Sequence, residues 1–177
     1  MRGGASTGSG GIGGWHGSAT FSPCRTYRYA LTRTWGVAGD GVGRVLPFIL
    51  LNPSTATESV LDPTVRRCVS FAARLGYDGV TIVNLFAYRA TEPRELKLHS
   101  DPIGPDNDEN IRTIAGTAEQ VVLGWGREGS YLGRDQAVLS LLGDVQLYRL
   151  GSATKTGAPR HPLYLPGDSP LVRHRGA

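Results

Sequence analysis

The sequence predicts an α/β protein: a three-layer sandwich with a mostly parallel central sheet, helices on both faces and an N-terminal β-hairpin. Three observations lead there. Short runs such as Leu46-Pro-Phe-Ile-Leu-Leu51 and Gly79-Val-Thr-Ile-Val-Asn84 are apolar on both faces, as buried parallel strands are. Stretches with helical periodicity alternate with these runs across short connections. At 177 residues, with 40% hydrophobic and 19% charged content, the chain can bury one such core without staples.

The elements follow in order. Eight of the first twenty residues are glycine, mixed with serine and threonine, so residues 1–24 read as a disordered tail that burial cannot order. Residues 25–166 read as the single α/β domain and 167–177 as a C-terminal tail. Tyr27 to Trp35 alternates as a strand, Gly36 to Gly43 reads as a turn, and Val45 to Leu51 as the returning strand of a hairpin. Asp62 and Pro63 are an N-cap and first-turn proline, opening a helix through Val65, Cys68, Val69, Ala72 and Leu75 that Gly76 ends. A buried strand follows at Gly79–Asn84, then a helix at Asn107–Ala118. Gln120–Trp125, Leu132–Leu142 and Val145–Leu150 complete a strand, helix, strand series.

Composition narrows the function. The net charge of +4 and pI near 9.3 permit a nucleic-acid or nucleotide partner without requiring one, since Arg2, Arg25, Arg28, Arg173 and Arg175 sit toward the ends. No run approaches the ~18 apolar residues of a membrane span, so no membrane is expected. Cys24 and Cys68 lie far apart and read as two reduced thiols of a cytoplasmic protein. Oligomeric state leaves no signal. His16, His99, His161 and His174 show no metal-ligand spacing, so neither a metal nor a cofactor is expected. There is no phosphate loop and no Gly-x-Ser-x-Gly elbow. Asp62, Asp101, Asp106 and Asp108 read as caps and turn formers rather than as a paired acid and base.

In a doubly wound sheet the ligand lies outside the carboxyl ends of the strands. That rule points to four stretches: Asn52-Pro53-Ser54-Thr55-Ala56, Asn84-Leu-Phe-Ala-Tyr88-Arg89, Trp125-Gly126, and Pro159-Arg160-His161-Pro-Leu-Tyr164. Each puts polar or aromatic residues directly after an apolar run, where a buried polar group needs a partner. Turn capping by Asn52, a loop role for Asn84 and a surface position for His161 are the plainer readings of the same residues.

These motifs resemble a known family. Tyr27-Arg-Tyr-x-Leu31, Leu51-Asn-Pro-Ser-Thr-Ala56, Asp62-Pro-Thr-x-Arg-Arg-Cys68, Asn84-Leu-Phe-Ala-Tyr-Arg-Ala90, Trp125-Gly126 and Arg160-His-Pro-Leu-Tyr164 look like the bacterial and phage family known as domain of unknown function 1643. More distantly, the motif order is similar to the uracil-DNA glycosylase superfamily. That resemblance implies Asn52-Pro53 as the motif positioning the attacking water, Asn84 as reader of the base edge, and His161 as stabiliser of the departing base. Asn52 and His161 are then the catalytic candidates. Pro53, Ser54, Asn84, Tyr88, Arg89, Trp125, Gly126, Arg160 and Tyr164 are the substrate-binding ones. The usual aromatic platform after the first motif is missing here, leaving Phe86, Tyr88 or Trp125 to supply it, with Phe86 read as core. Leu163-Tyr164 also replaces the expected Ser-Pro. Two functions follow: an N-glycosylase-like hydrolase acting on a base in DNA or on a nucleotide, or a non-catalytic base-binding module. Both expect Asn52, Asn84 and His161 to converge on one pocket.

Overall fold

The two apolar runs become neighbouring strands at the centre of one sheet, which is where residues apolar on both faces are most stable. The computed structural model describes residues 8–9, 16–35, 43–54 and 62–174. Its strands are β1 (Gly8–Ser9), β2 (His16–Phe21), β3 (Arg28–Thr34), β4 (Val45–Leu50), β5 (Gly79–Asn84), β6 (Val121–Leu123), β7 (Leu147–Leu150) and β8 (Leu171–Arg173). Its helices are α1 (Pro63–Arg74), α2 (Pro93–Leu98), α3 (Asn107–Gly116) and α4 (Arg134–Leu142). The eight strands form one mixed sheet in the order β1-β2-β3-β5-β4-β6-β7-β8.

Parallel pairing is confined to the middle, where β4 lies between β5 and β6, and β6 continues to β7. The other ladders, β1 with β2, β2 with β3, β3 with β5 and β7 with β8, are antiparallel. A mostly parallel sheet is therefore corrected to a mixed one. The short connection from β2 to β3 permits only an antiparallel pair, because a parallel crossover needs a dozen residues or more.

Three other expectations change with it. The tail read as ending at residue 24 is strand from His16 to Phe21, because β3 supplies a full backbone ladder to a segment with little side chain to bury. The expected hairpin between residues 27–35 and 45–51 does not form. β3 pairs with β2 and β5, while β4 takes the central slot. The turn expected at Gly36–Gly43 falls largely on residues outside the described ones. The C-terminal tail contains β8, which pairs with β7 at Leu171–Arg173. The sequence also hid α2, a six-residue helix closed by a Glu92/Glu95 capping box.

β4 shows how the core is arranged. Leu46, Phe48 and Leu50 join a cluster with Val65, Cys68, Phe71 and Ala72 of α1, while Ile49 and Leu51 join another with Ile111 and Ala115 of α3 and Val138 and Leu142 of α4. Each such large side chain contributes about 1.5–3 kcal/mol by leaving water. Both faces of β4 are thus covered, and ligand access is left to the strand ends. Among the described residues no helix is long and apolar enough to cross a membrane.

Candidate functional site at the carboxyl ends of the central strands

β4 ends at Leu50 and delivers Asn52, Pro53 and Ser54 to the sheet's carboxyl edge. The Asn52 Nδ2 donates to the carbonyls of Pro53 at 3.1 Å and Ala90 at 2.8 Å, and the Ala90 amide donates to Pro53 O at 3.1 Å. Asn52 therefore ties the β4 exit to the β5 exit through its amide nitrogen. Ser54 donates its hydroxyl to Asp62. Asp62 is the N-cap of α1 as its sequence position predicts, accepting the Val65 amide at 2.7 Å. Residues 55–61, including the last two of the Asn52–Ala56 motif, lie outside the described ones.

Asn84 closes β5 in register with Leu50 of β4, and so shares the face that α1 covers. It is 1% exposed, and its Nδ2 has no hydrogen-bond partner among the described residues. Its backbone is held from the opposite side: Asn107 Nδ2 donates to Asn84 O and Leu85 O at 3.0 Å each. Arg134 Nε donates to Leu85 O at 2.8 Å, and the same guanidinium pairs with Asp108. A polar side chain buried on a rigid, doubly anchored strand end, with donors unspent, is a group waiting for an acceptor.

Beyond Asn84 the chain separates core from surface. Phe86 is fully buried against Tyr131, with ring centroids 5.7 Å apart. Tyr88 is half-buried, stacked on His99 at 4.0 Å and edge-on to Tyr27. Trp125 is 2% exposed. Of the three aromatics that could replace the missing platform, Tyr88 is thus the one that keeps open surface. Ser54, Tyr88 and Arg89 line one cavity of about 340 Å³ together with Arg25, Thr26, Ala90 and Thr91.

The β6 exit is built from glycines. A Cβ on Gly124 would meet Pro162 Cδ at 2.8 Å and Leu50 Cδ2 at 3.0 Å, so glycine lets the 159–164 segment dock. Gly126 has φ +73° and ψ −166°, a backbone region essentially reserved for glycine, and its amide donates to Pro159 O at 2.8 Å. This bond hangs His161 beside the β6 exit, with its Cβ 3.9 Å from where a Gly126 Cβ would stand. The His161 Nδ1 accepts the Leu163 amide at 3.3 Å, which leaves the proton of the neutral ring on Nε2. Burial pushes the imidazole below its ordinary value of 6.5, and the Asp62 carboxylate works against that shift. Arg160 is exposed and reaches Ala153 O, while Tyr164 is 79% exposed with its ring 5.8 Å from that of His161. Trp125 opens onto a different cavity, of about 840 Å³, along α4, β7 and β8.

Two contributors escape a reading of the sequence. Asp62 acts beyond its capping role, since its charge reaches both His161 and Arg28. Arg28, counted above among the terminal charges, is 2% exposed. Burial lowers its pKa to about 10, with Asp62 opposing and Arg89 and Arg33 reinforcing the shift. A β-bulge puts it there. Thr20 pairs with Ala30 and Phe21 with Arg28, so Tyr29 is an extra residue that turns Arg28 to the α1 side. Asp62 could have been found from the sequence by asking which cap falls beside a strand exit; the bulge could not.

Among the described residues no three His, Cys, Asp or Glu side chains gather as a metal site. A family model described as "Protein of unknown function (DUF1643)" matches residues 28–163, and the chain belongs to that family. No curated protein and no solved structure matches it.

Proposed function

We propose that this member of the family recognises a nucleobase and hydrolyses the N-glycosidic bond that holds it, on a three-layer fold of the uracil-DNA glycosylase type. The observation that carries the reading is Asn84, whose unspent amide donors are buried at the carboxyl end of a central strand. An amide presents a donor and an acceptor in one plane, matching the edge of a base. Tyr88 supplies an open ring on the exit of the same strand. The parallel run β5-β4-β6-β7 and the separate clusters on its two faces support the fold.

The chemistry needs three things of this chain. As the bond to the anomeric carbon breaks, its electron pair leaves with the base, and the neutral His161 ring donates from Nε2 to that growing charge. A depressed pKa suits this role, because the neutral imidazole dominates at neutral pH. Water attacks the oxocarbenium-like sugar, oriented by the Asn52 Oδ1, and its proton passes to the Asp62 carboxylate. Asp62 also stabilises the cationic sugar across the site. Departure of the neutral base follows its protonation from solvent.

One observation favours the non-catalytic reading: both Asn52 Nδ2 bonds go to backbone, which makes Asn52 a loop tie as much as a water holder. The test is base release from single- and double-stranded oligonucleotides carrying uracil, hypoxanthine, hydroxymethyluracil or xanthine. Wild type should produce alkali-labile sites on one of them, and His161→Ala should lose about 100-fold in rate. Tight binding without release, lost in Asn84→Leu, would establish the non-catalytic module. Absence of both release and binding would overturn the proposal.

A further inference from the structure

β7 sends one charged side chain to the face of the sheet that α4 covers. Leu147 packs into the cluster of Val138 and Leu142 of α4, and alternation along the strand puts Arg149 on the same face, two residues nearer the carboxyl edge. Val172 of β8 is the partner of Arg149 across the ladder and shares that face. Arg149 is half-buried there and lines the cavity of about 840 Å³. Its Nη1 donates to Arg173 O at 3.2 Å, and the His174 amide donates to Leu147 O at 2.8 Å, so the strand pair orients the guanidinium. The Nε of the same group is buried and meets no acceptor among the described residues.

The carboxylates of this cavity do not supply that acceptor. Glu128 pairs with Lys97 at 3.3 Å, Asp135 accepts the Gln136 amide at 2.8 Å, and neither meets Arg149 among the described residues. They do restrict what can. Two negative charges in the lining oppose a polyanion, so a group with a single charge fits best. Leu139, Pro159 and Val172 add apolar surface to the same lining. The volume lies within the range of roughly 300–1,000 Å³ that holds small molecules. A guanidinium presents Nε and one Nη as a planar fork that matches the two oxygens of a carboxylate.

We propose that this cavity is a second ligand site, which takes an organic molecule with one carboxylate at the Arg149 fork and an apolar body against Leu139, Pro159 and Val172. It is independent of base recognition, because Asn84 lies on another strand and on the α1 face of the sheet.

The test titrates phenylacetate and hexanoate into the full chain, followed by calorimetry and by the Arg149 Nε–H and His174 ring signals in NMR; His174 lines the same cavity. Their neutral amides supply the body without the charge, and acetate the charge without the body. At least one of the two acids should bind about 10-fold or more tightly than its amide and than acetate, and should shift both signals. Arg149→Lys should weaken that acid about 10-fold by removing the planar fork. Val172→Asp, which leaves Arg149 in place and sets a carboxylate opposite it in the ladder, should weaken it by a similar factor. Acids that bind no more tightly than their amides, or binding unchanged in both variants, would overturn the site. Tighter binding of phenyl phosphate than of phenylacetate would overturn its assignment to a single carboxylate.

Discussion

The cavity along α4, β7 and β8 holds about 840 Å³ and the other about 340 Å³, yet it is the smaller that takes its lining from the β4 and β5 exits. The larger carries charges of both signs. Arg127, Arg149 and Arg173 share the lining with Glu128 and Asp135. Glu128 pairs with Lys97 at 3.3 Å, and Asp135 accepts the Gln136 amide at 2.8 Å. Arg149 Nη1 donates to Arg173 O at 3.2 Å, and its Nε is buried without a partner among the described residues. Trp125 does have a buried Nε1 without a partner among the described residues, but backbone crowds the indole: a Cβ on Gly129 would stand 2.1 Å from its Cδ1. The smaller cavity is lined from the β4 exit by Ser54 and from the β5 exit by Tyr88 and Arg89, and the second of these exits starts at Asn84, which keeps its donors. Volume measures what can enter, and unspent polar groups indicate what would stay.

Two neighbouring aromatics on the β5 exit give the largest expected effect. Phe86→Ala should cost about 3–5 kcal/mol of unfolding free energy in urea, as a fully buried ring does, and Tyr88→Ala about 1 kcal/mol or less while weakening ligand binding. Similar losses from both would mean that the exit loop is core throughout.

Asn84→Leu sharpens the comparison next. Replacing an unpartnered buried amide by an apolar group of similar size should leave stability unchanged or raise it by about 1–3 kcal/mol, and should abolish base binding. Arg149→Ala, in the larger cavity, should leave base binding unaffected. A strongly destabilised Asn84→Leu protein would show that the amide already has its partner.

The smallest effect is the pH dependence of stability. The folded-state pKa of His161 is depressed by burial, so the unfolded chain binds its proton first as pH falls. Stability should therefore decline as pH drops through the ordinary value of 6.5. His174 shifts in the same direction, through burial and then the charge of Arg149. His161→Asn, which keeps an acceptor for the Leu163 amide, should flatten the decline, and His174→Asn should remove part of the remainder. An unchanged slope in the double variant would place its origin in other groups.

How much of this the sequence revealed follows from what local physics controls. α1 was legible from Asp62, Pro63 and its apolar spacing, and β4 and β5 from runs too apolar for any exposed place. β2 was not, because Gly17, Ser18 and Ala19 carry almost no side-chain signal and are ordered by their ladder to β3. The partner of β3 was misassigned for a related reason: pairing is decided by which strand needs both edges covered, and nothing near Tyr27–Trp35 records that. At the candidate site, Asn52, Asn84 and His161 were found from their places after predicted strands. The structure relates them unevenly. Asn84 lies on the α1 face, His161 feels Asp62 at the head of α1, and Asn52 ties two exits together, while Trp125 lines the other cavity. Arg28 was missed because its orientation depends on one extra residue in a ladder, and Asp62 because one role, capping, already accounted for it.

The most direct measurement follows side-chain N–H signals in NMR while the free bases uracil, hypoxanthine and xanthine are titrated in. Base recognition at Asn84 requires its Nδ2 protons to shift with one of these bases while the Trp125 indole proton stays in place. Movement of the Trp125 signal with Asn84 unmoved would transfer the site to the larger cavity and end the case for Asn84.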